Sequence, residues 1–240
     1  MPIVKLSKEV SCPYCLSVKV VRNGIKSSGA QNLLCKQCKK QFQSEYVYWA
    51  CDKQRSDQVL KMLLRGSGIR DCSEVLGISR DAVLRCILRS GLSLEIKPLQ
   101  KRYTRVQIDE LWSYVGHKQK KVWMIYAYCA ESAEILAFAL GKRSKRTVEY
   151  LMLRLKNVEV DFFLTDDWEA FAAVLPYEKH LIGKQFTKAI EGRNTWFRTR
   201  LRRLARRTVC FSKKLKYHFA MIKILIYQKN INYHTFKDIT

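Results

Sequence analysis

Two pairs of cysteines near the N-terminus restrict the fold of this chain more than any other feature. Cys12 and Cys15 form one CxxC motif, and Cys35 and Cys38 form another, with nineteen residues between the pairs. Each motif lets a tight turn direct two sulfurs at one ion, and two such turns complete a tetrahedral Cys₄ zinc site. The stretch between the pairs contains valines, an Asn-Gly turn and two leucines, which predicts a hairpin. The spacing therefore predicts a zinc ribbon that holds structural Zn²⁺.

Redox exchange is the alternative role for a CxxC motif, but no βαβ pattern surrounds either pair. The first residues lack the long apolar segment of an export signal, so we expect a reducing cytoplasm, where thiolates bind metal. No apolar run reaches the roughly 18 residues of a transmembrane helix, so we expect no membrane partner.

The charge balance indicates a polyanionic partner. The chain has 45 Lys and Arg against 21 Asp and Glu, a formal net charge of +24, with a pI near 9.8. Such an excess attracts nucleic acid or anionic lipid, and the missing membrane signals favour nucleic acid. The alternative is that the protein is merely alkaline.

Helical periodicity replaces the strand pattern between residues 54 and 90. It predicts a first helix ending near Gly66, a short helix from about Arg70 to Leu76, and a third helix capped by Ser79. Gly77 suits the left-handed turn between the last two. This pattern is typical of a helix-turn-helix, whose last helix enters the major groove. The candidate DNA contacts on that helix are Arg80, Arg85 and Arg89. A small helical bundle with solvated arginines is the alternative.

From Arg105 the periodicity is that of a mixed α/β domain. Three strands are predicted over residues 105–116, 121–130 and 134–141, followed by a helix over 144–157. A buried fourth strand ending at Asp166, a short helix, another short strand and a long basic helix from about Lys188 complete the pattern. This is the order of elements in the ribonuclease-H-like fold.

Acidic residues that interrupt apolar segments are the candidate catalytic residues. Asp109 lies in the first strand and Asp166 ends the fourth, which a helical crossover can place beside the first. Glu191 lies in the first turn of the long helix. Close carboxylates repel one another, and hard divalent cations such as Mg²⁺ or Mn²⁺ are the usual remedy. Surface ion pairs or helix caps explain Glu110, Glu149 and Asp167, and Asp167 is expected to be the N-cap of the following helix.

A basic segment follows Glu191. Residues 188–216 contain eleven Lys or Arg and one acid, which predicts a surface that binds the DNA backbone without reading its sequence. The candidate contacts are Lys188, Arg198, Arg202 and Arg206. A solvated helix face is the alternative. Trp196 is a candidate for stacking on a base.

The chain resembles the insertion-sequence-one family of bacterial transposases over nearly its whole length. The segments that carry the resemblance are SCPYC, VVRNG, LCKQCKKQFQ, GIRDCSEVLGIS, IDELWSYVG, LTDDW, HLIGKQFTKAIEGRN and LARRTVCFSKK. The resemblance implies that Asp109, Asp166 and Glu191 are a DDE catalytic set. Asp167 stands where the family usually has glycine, so Asp166 and Asp167 are rival ligands. His180 and Lys184 match family positions near the site, although His180 is equally explained as a packed strand residue.

These inferences predict a multidomain chain: a zinc ribbon over residues 1–50, a helix-turn-helix over 51–92, a linker over 93–104, and a catalytic domain over 105–240. The predicted function is a DNA transposase that binds the terminal inverted repeats of its element, then cleaves and joins strands. We expect duplex DNA and further copies of the chain as partners, at the prokaryotic nucleoid. A non-catalytic DNA-binding regulator and a nuclease of the same fold are the alternatives.

Overall fold

The computed structural model describes residues 10–26, 29–43 and 53–237, which belong to two compact units, residues 1–52 and 53–240. The start of the predicted zinc ribbon and the predicted junction near residue 50 lie outside the described residues.

The N-terminal unit is a small antiparallel sheet with a core of four side chains in its described part. The strands pair in the order β1-β2-β3, and the predicted hairpin corresponds to the first two. Cys12, Leu33, Cys35 and Phe42 form the core. So small a core gives little stability without a metal or disulfide. The strands are β1 (Val20–Ile25), β2 (Gln31–Cys35) and β3 (Gln41–Gln43).

The second unit begins with three helices. Gly77 adopts φ 61° and ψ 33° and ends the second helix, because a left-handed residue lets the chain turn away while its N–H still bonds back to the helix. Ser79 caps the third helix, where its hydroxyl accepts a hydrogen bond from the Ala82 N–H at 3.1 Å. The predicted helix-turn-helix layout is confirmed. The helices are α1 (Lys53–Leu64), α2 (Ile69–Leu76) and α3 (Arg80–Ser93).

A mixed sheet of five strands follows in the described chain, in the order β6-β5-β4-β7-β8. The first three strands in sequence pair antiparallel, whereas β7 joins β4 in parallel and β8 joins β7 in parallel. The predicted ribonuclease-H-like α/β frame is confirmed. The strands are β4 (Arg102–Tyr114), β5 (Lys121–Cys129), β6 (Glu134–Gly141), β7 (Glu159–Thr165) and β8 (His180–Ile182).

Helices cover both faces of this sheet. On one face, α4 and α5 pack on β4–β7. On the other, α1–α3 share a core with α6 and α7. No helix within the described ranges has the length and hydropathy needed to cross a membrane. The helices are α4 (Lys145–Leu155), α5 (Glu169–Ala172), α6 (Lys188–Arg200) and α7 (Leu215–Lys237).

The predicted long basic helix is interrupted. It ends at Arg200, and a 3₁₀ turn over Arg202–Leu204 follows. Leu201 is extended, with φ −118° and ψ 101°, and the Arg198 guanidinium donates to the Leu204 carbonyl at 2.8 Å, which holds the turn. The basic segment thus changes direction after α6.

Helix α3 approaches α7 closely at Gly91. A Cβ added there would lie 2.6 Å from the Ala220 Cβ and 2.8 Å from its Cα. Glycine is therefore required at this crossing, although it is an unfavourable residue inside a helix. The crossing fixes the helix-turn-helix to the helix that covers the sheet.

We predict that Gly91→Ala lowers the free energy of unfolding by about 1–3 kcal/mol, the usual effect of overpacking a filled core. Thermal unfolding followed by circular dichroism measures it. Gly192→Ala is the matched control, because Gly192 is also helical and has nothing within 4 Å of an added Cβ. Equal midpoints for the two variants would show that the α3–α7 crossing has room to spare.

Candidate active site and metal centres

The parallel pairing of β4 with β7 places two carboxylates side by side. The last paired residues of these strands are Gln107 and Leu164. Asp109 and Asp166 each lie two residues beyond that pair, where β7 ends. Strands in parallel register bring equivalent positions together, so the predicted proximity of the two aspartates follows from this pairing.

A third carboxylate joins them. One oxygen each from Asp109, Glu110 and Asp166 lies within 4.8 Å of the others. Glu110 does form the ion pair that its sequence position suggested, with Arg143 at 2.6 Å. The assignment to the surface was wrong, because the Glu110 side chain is only 9% exposed. Strand alternation predicts opposite faces for residues 109 and 110, so the sequence pattern concealed this residue.

Arg143 is itself held by aromatic rings. Its guanidinium carbon lies 4.3 Å from the centre of the Trp168 ring and 5.5 Å from that of Trp123. A cation over an aromatic face is attracted by the ring quadrupole. These contacts fix the positive charge that pairs with Glu110.

Burial makes two carboxyls of the cluster, those of Asp109 and Glu110, harder to ionise. It raises the pKa of the Asp109 carboxyl to about 6, with the charges of Glu110 and Asp166 adding to the effect. The Glu110 backbone N–H, at 2.7 Å, and the Asn194 amide, at 2.7 Å, oppose the rise by donating hydrogen bonds to Asp109. Burial also raises the pKa of Glu110, and its bond from Arg143 opposes that shift.

Two oxygens of this cluster have no hydrogen-bond partner among the residues that the structure describes. Glu110 Oε2 and Asp166 Oδ1 are both buried and unsatisfied. An unpaired buried carboxylate oxygen is costly, and a hard divalent cation would satisfy both atoms and remove the repulsion between the charges. The donor set, all carboxylate oxygen, fits Mg²⁺ or Mn²⁺.

Hydrogen bonds with side chains of the sheet hold helix α6 beside this cluster. The Gln107 side chain accepts from the Ile190 N–H at 2.9 Å, and the Tyr126 hydroxyl donates to the Ile190 carbonyl at 3.1 Å. One turn further along, the Asn194 amide donates to Asp109. Sequence reasoning missed Asn194 as a site residue, because a neutral amide at the surface of a basic helix gives no spacing signal.

Glu191 lies three residues before Asn194, in the first turn of the same helix, and is exposed. The structure does not bring its carboxylate into the group formed by Asp109, Glu110 and Asp166. Residues three apart are neighbours on a helix surface, so Glu191 stands beside the residue that contacts Asp109. Its part in metal binding stays a prediction.

The four N-terminal cysteines form a second centre. Their sulfurs lie within 4.8 Å of one another, with 3.6 Å between Cys12 and Cys38 and 3.6 Å between Cys15 and Cys35. Zinc–sulfur bonds of about 2.3 Å in a tetrahedron place the sulfurs about 3.8 Å apart. All four thiols are unbridged, so the cluster fits one zinc ion.

The two cysteine turns have the same backbone geometry. Leu16 and Lys39, the residues after each pair, adopt φ 58° and φ 60°. Their N–H groups bond to the carbonyls of Cys12 and Cys35, both at 2.9 Å. In the second turn, backbone N–H groups of residues 38 and 37 lower the pKa of the Cys35 thiol to about 6. A thiolate is the form that binds zinc.

Two family models match the segments of the chain that contain these centres. A model of IS1 transposases matches residues 104–234, more than half of the chain, and a model of the InsA N-terminal domain matches residues 7–39. The chain belongs to the IS1 transposase family.

Curated relatives support this assignment. The iso-IS1n protein InsB of Shigella dysenteriae is 38% identical over 120 residues, which are 50% of this chain and 92% of that protein. The IS1 protein InsB of Shigella flexneri is 35% identical over 116 residues, 48% of this chain and 88% of that one. An IS1 protein InsB of Escherichia coli is 31% identical over 139 residues, 58% of this chain and 83% of that one.

The structure separates the two adjacent aspartates in this family member. Asp166 lies in the carboxylate cluster, whereas Asp167 is exposed and outside it. Asp167 was predicted to cap the next helix, and this was wrong. The cap is Trp168, whose carbonyl accepts from the Phe171 N–H at 2.9 Å, and the helix starts at Glu169. The tryptophan ring packs on Phe171, which sets this start.

His180 is explained by packing. It pairs with Phe163 in the sheet, and its Nε2 lies 2.7 Å from the Thr165 hydroxyl, just before Asp166. Burial lowers its pKa, and the ring supports the end of β7 through this contact. Lys184 is exposed in a 3₁₀ turn.

The predicted DNA contacts fall into two groups by exposure. Those on α3 are all exposed, although Arg89 also donates to the Ser56 hydroxyl at 3.0 Å. In the basic segment, Arg198 is half-buried and holds a turn through Leu204, while Trp196 packs on Phe197. The exposed members are Arg80, Arg85, Arg89, Lys188, Arg202 and Arg206.

We predict that Mn²⁺ binding weakens as the pH falls through about 6. The pKa of Asp109 is raised to about 6, so below that pH a proton competes with the ion, and affinity should fall about tenfold per pH unit. Titration calorimetry between pH 5 and 8 measures it.

Asp109→Asn and Asp166→Asn should abolish this binding, whereas Glu149→Gln, a change of an exposed acid on α4, should leave it intact. Affinity that is constant from pH 5 to 8 would mean that the ion binds elsewhere.

Proposed function

We propose that this IS1 family member is a transposase that cleaves the ends of its insertion sequence and joins them to target DNA, with Asp109, Asp166 and Glu191 as metal ligands. The observation that carries the proposal is the carboxylate cluster, with buried oxygens of Glu110 and Asp166 left unsatisfied. A structural cluster would satisfy those oxygens with protein donors, whereas a metal site leaves them open.

Two divalent cations supply the chemistry when bound, by activating the attacking oxygen and stabilising the leaving oxygen of a phosphodiester. The chain's own groups orient the ligands. Asn194 and the Glu110 N–H each hold one oxygen of Asp109, which fixes the plane of that carboxylate. Gln107 and Tyr126 fix helix α6, and with it the backbone from which Glu191 extends.

Both proposed steps are displacements at phosphorus. In the first, water attacks and a 3′-hydroxyl leaves. In the second, that hydroxyl attacks a target phosphodiester and releases another 3′-oxygen. One site serves both, because attacking and leaving groups are oxygens in each.

The N-terminal parts are assigned to recognition of the terminal inverted repeats. Arg80 and Arg85 are exposed on α3, the helix that enters the major groove in this motif. The zinc ribbon adds a second DNA-binding module. Two element ends meet one target, so we propose that the active form is a multimer assembled on duplex DNA at the nucleoid.

We predict that Asp109→Ala, Asp166→Ala and Glu191→Ala each abolish strand cleavage and strand transfer while leaving DNA affinity unchanged or higher. Each change removes a ligand and also removes negative charge near phosphate. The assay incubates purified protein with its own element ends and Mg²⁺ and looks for nicked and joined products. Asp167→Ala is the matched control and should remain active.

Glu110→Gln tests whether Glu191 or Glu110 is the third metal ligand. It should slow cleavage, because Glu110 then loses much of its attraction to Arg143, but it should not abolish it. If Glu110→Gln is inactive and Glu191→Gln is active, Glu110 replaces Glu191 in the set. Cleavage without joining would identify a nuclease, and binding without either would identify a regulator.

We predict that Arg80→Ala with Arg85→Ala weakens binding to the element ends by about tenfold or more, since a lost bidentate base contact is worth about 1–3 kcal/mol. Binding to random duplex should change much less. Arg202→Ala with Arg206→Ala should weaken both about equally and reduce the salt dependence. Fluorescence anisotropy at several salt concentrations measures all four affinities. Identical behaviour of the two pairs would contradict the division between sequence reading and backbone positioning.

A further inference from the structure

A basic cleft lies within the second unit, between the helix-turn-helix and the segment that follows α6. Its volume is about 870 Å³. Two of the described residues that line it are acidic, Asp71 and Asp81. The Asp71 carboxylate accepts a hydrogen bond from the Gly68 N–H at 2.7 Å. The basic residues that line it are Arg70, Arg80, Arg202, Arg203, Lys213 and Lys214.

Arg203 differs from the other five because it is buried. It is 7% exposed, and its one hydrogen bond within the described chain is donated to the Ser212 hydroxyl at 3.1 Å. It forms no ion pair with any described carboxylate. Burial lowers its pKa to about 10. A buried cation without a counter-charge destabilises a fold by several kcal/mol, so it marks a place where an anion belongs.

A chain of hydrogen bonds holds this guanidinium in position. His218 is fully buried, and its two ring nitrogens lie 3.2 Å from the Ser212 hydroxyl and 3.0 Å from the Ser113 hydroxyl. Burial, together with the charge of Arg203, lowers the pKa of His218 to about 3, so the ring is neutral. Ser212 accepts from Arg203 and can donate to Nδ1, and Nε2–H then donates to Ser113. The chain ends on β4, the strand that carries Asp109.

We propose that this cleft binds the sugar-phosphate backbone of duplex DNA, with Arg203 as the cation that receives one phosphodiester. The proposal rests on the proposed function, because the cleft would bind the same DNA substrate at a second place. Five exposed cations surround one buried cation in this cleft. Such a set suits a polymer of evenly spaced monoanions better than a single small anion.

The cleft lies between the helix assigned to base reading and the strand that carries Asp109. Arg80, at its rim, begins the helix assigned to base reading. Through Ser212, His218 and Ser113, Arg203 is fixed to β4. A phosphodiester held here would therefore be fixed relative both to the recognition helix and to the strand that carries Asp109.

The test replaces Arg203 by a side chain of similar length without charge. Arg203→Met should keep or raise the thermal midpoint of the protein measured without added divalent metal, because an uncompensated buried charge is removed. It should weaken binding to a random-sequence duplex about tenfold at physiological salt and reduce the salt slope by about one. Arg207→Met, an exposed change outside the cleft, should weaken binding only about twofold.

A second variant keeps the test independent of folding at the buried position. Arg70→Gln with Lys213→Gln removes two exposed rim charges and should also weaken duplex binding about tenfold. Arg154→Gln with Lys156→Gln on α4 has the same charge change, away from the cleft, and should have little effect. Wild-type affinity in both cleft variants would overturn the proposal. So would a lower midpoint for Arg203→Met together with an unaffected rim variant, since Arg203 would then be structural.

Two further measurements are needed. One distinguishes inorganic phosphate from duplex DNA as the ligand of the cleft, and the other distinguishes failure of the cleft proposal from failure of the catalytic proposal. Inorganic phosphate should raise the midpoint of the wild type slightly and that of Arg203→Met not at all. If it does so while duplex affinity is unchanged by Arg203→Met, the cleft is a small-anion site and the proposal fails. Binding is measured without added divalent metal, and without chelator, which would extract zinc. Cleavage retained by Asp109→Ala or Asp166→Ala would therefore count against the catalytic assignment alone, because the cleft proposal is judged by duplex binding.

Discussion

Three carboxylates held close together and away from bulk water repel one another, and the second unit is arranged around that constraint. The register of β4 and β7 places Asp109 beside Asp166, two residues beyond the last pair of these strands. The surrounding groups reduce the repulsion only in part. Asn194 and the Glu110 N–H bond to Asp109, and Arg143 bonds to Glu110. Burial, together with the remaining repulsion, raises the pKa of Asp109, and one buried oxygen of Asp166 has no partner among the described residues. A divalent cation would relieve both conditions.

The buried Arg203 is the complementary case. The carboxylates lack a cation and the guanidinium lacks an anion among the described residues. In the two proposals made above, a divalent metal ion and a phosphodiester supply these opposite charges. Both uncompensated charges cost stability, so the rest of the unit must offset them. It does so with apolar cores on both faces of the sheet, where large side chains such as Phe138, Phe171 and Phe197 are fully buried. The charges are tolerated because the hydrophobic term around them is large.

The helix-turn-helix shares one of these cores. Gly91 of α3 meets Ala220 of α7, and residues between α3 and β4, Leu94 and Ile96, pack against the same cluster. Within residues 53–237 the helix assigned to reading DNA is therefore packed against the layer that covers the carboxylate-bearing sheet. A packed junction transmits position, whereas a flexible linker would not.

Much of this architecture could be predicted from the sequence. The cysteine spacing indicated the zinc ribbon, Gly77 and Ser79 marked the helix-turn-helix, and the apolar runs predicted the strands to within a few residues. The proximity of Asp109 and Asp166 followed from a parallel crossover. The zinc ribbon, the helix-turn-helix and the strands are local features: periodicity, capping and ligand spacing are properties of neighbouring residues, which the sequence records directly.

The tertiary structure decided which charges face which partners. It placed Glu110 in the carboxylate cluster, where strand alternation argued against it. It brought Asn194 to Asp109, left Asp167 exposed, ended α6 at Arg200, and buried Arg203 with no ion pair to any described carboxylate. Each of these depends on side chains that are far apart in the chain and meet only when register and helix packing are set. The electrostatic environment of a group is the sum of such distant contacts, so no local pattern encodes it.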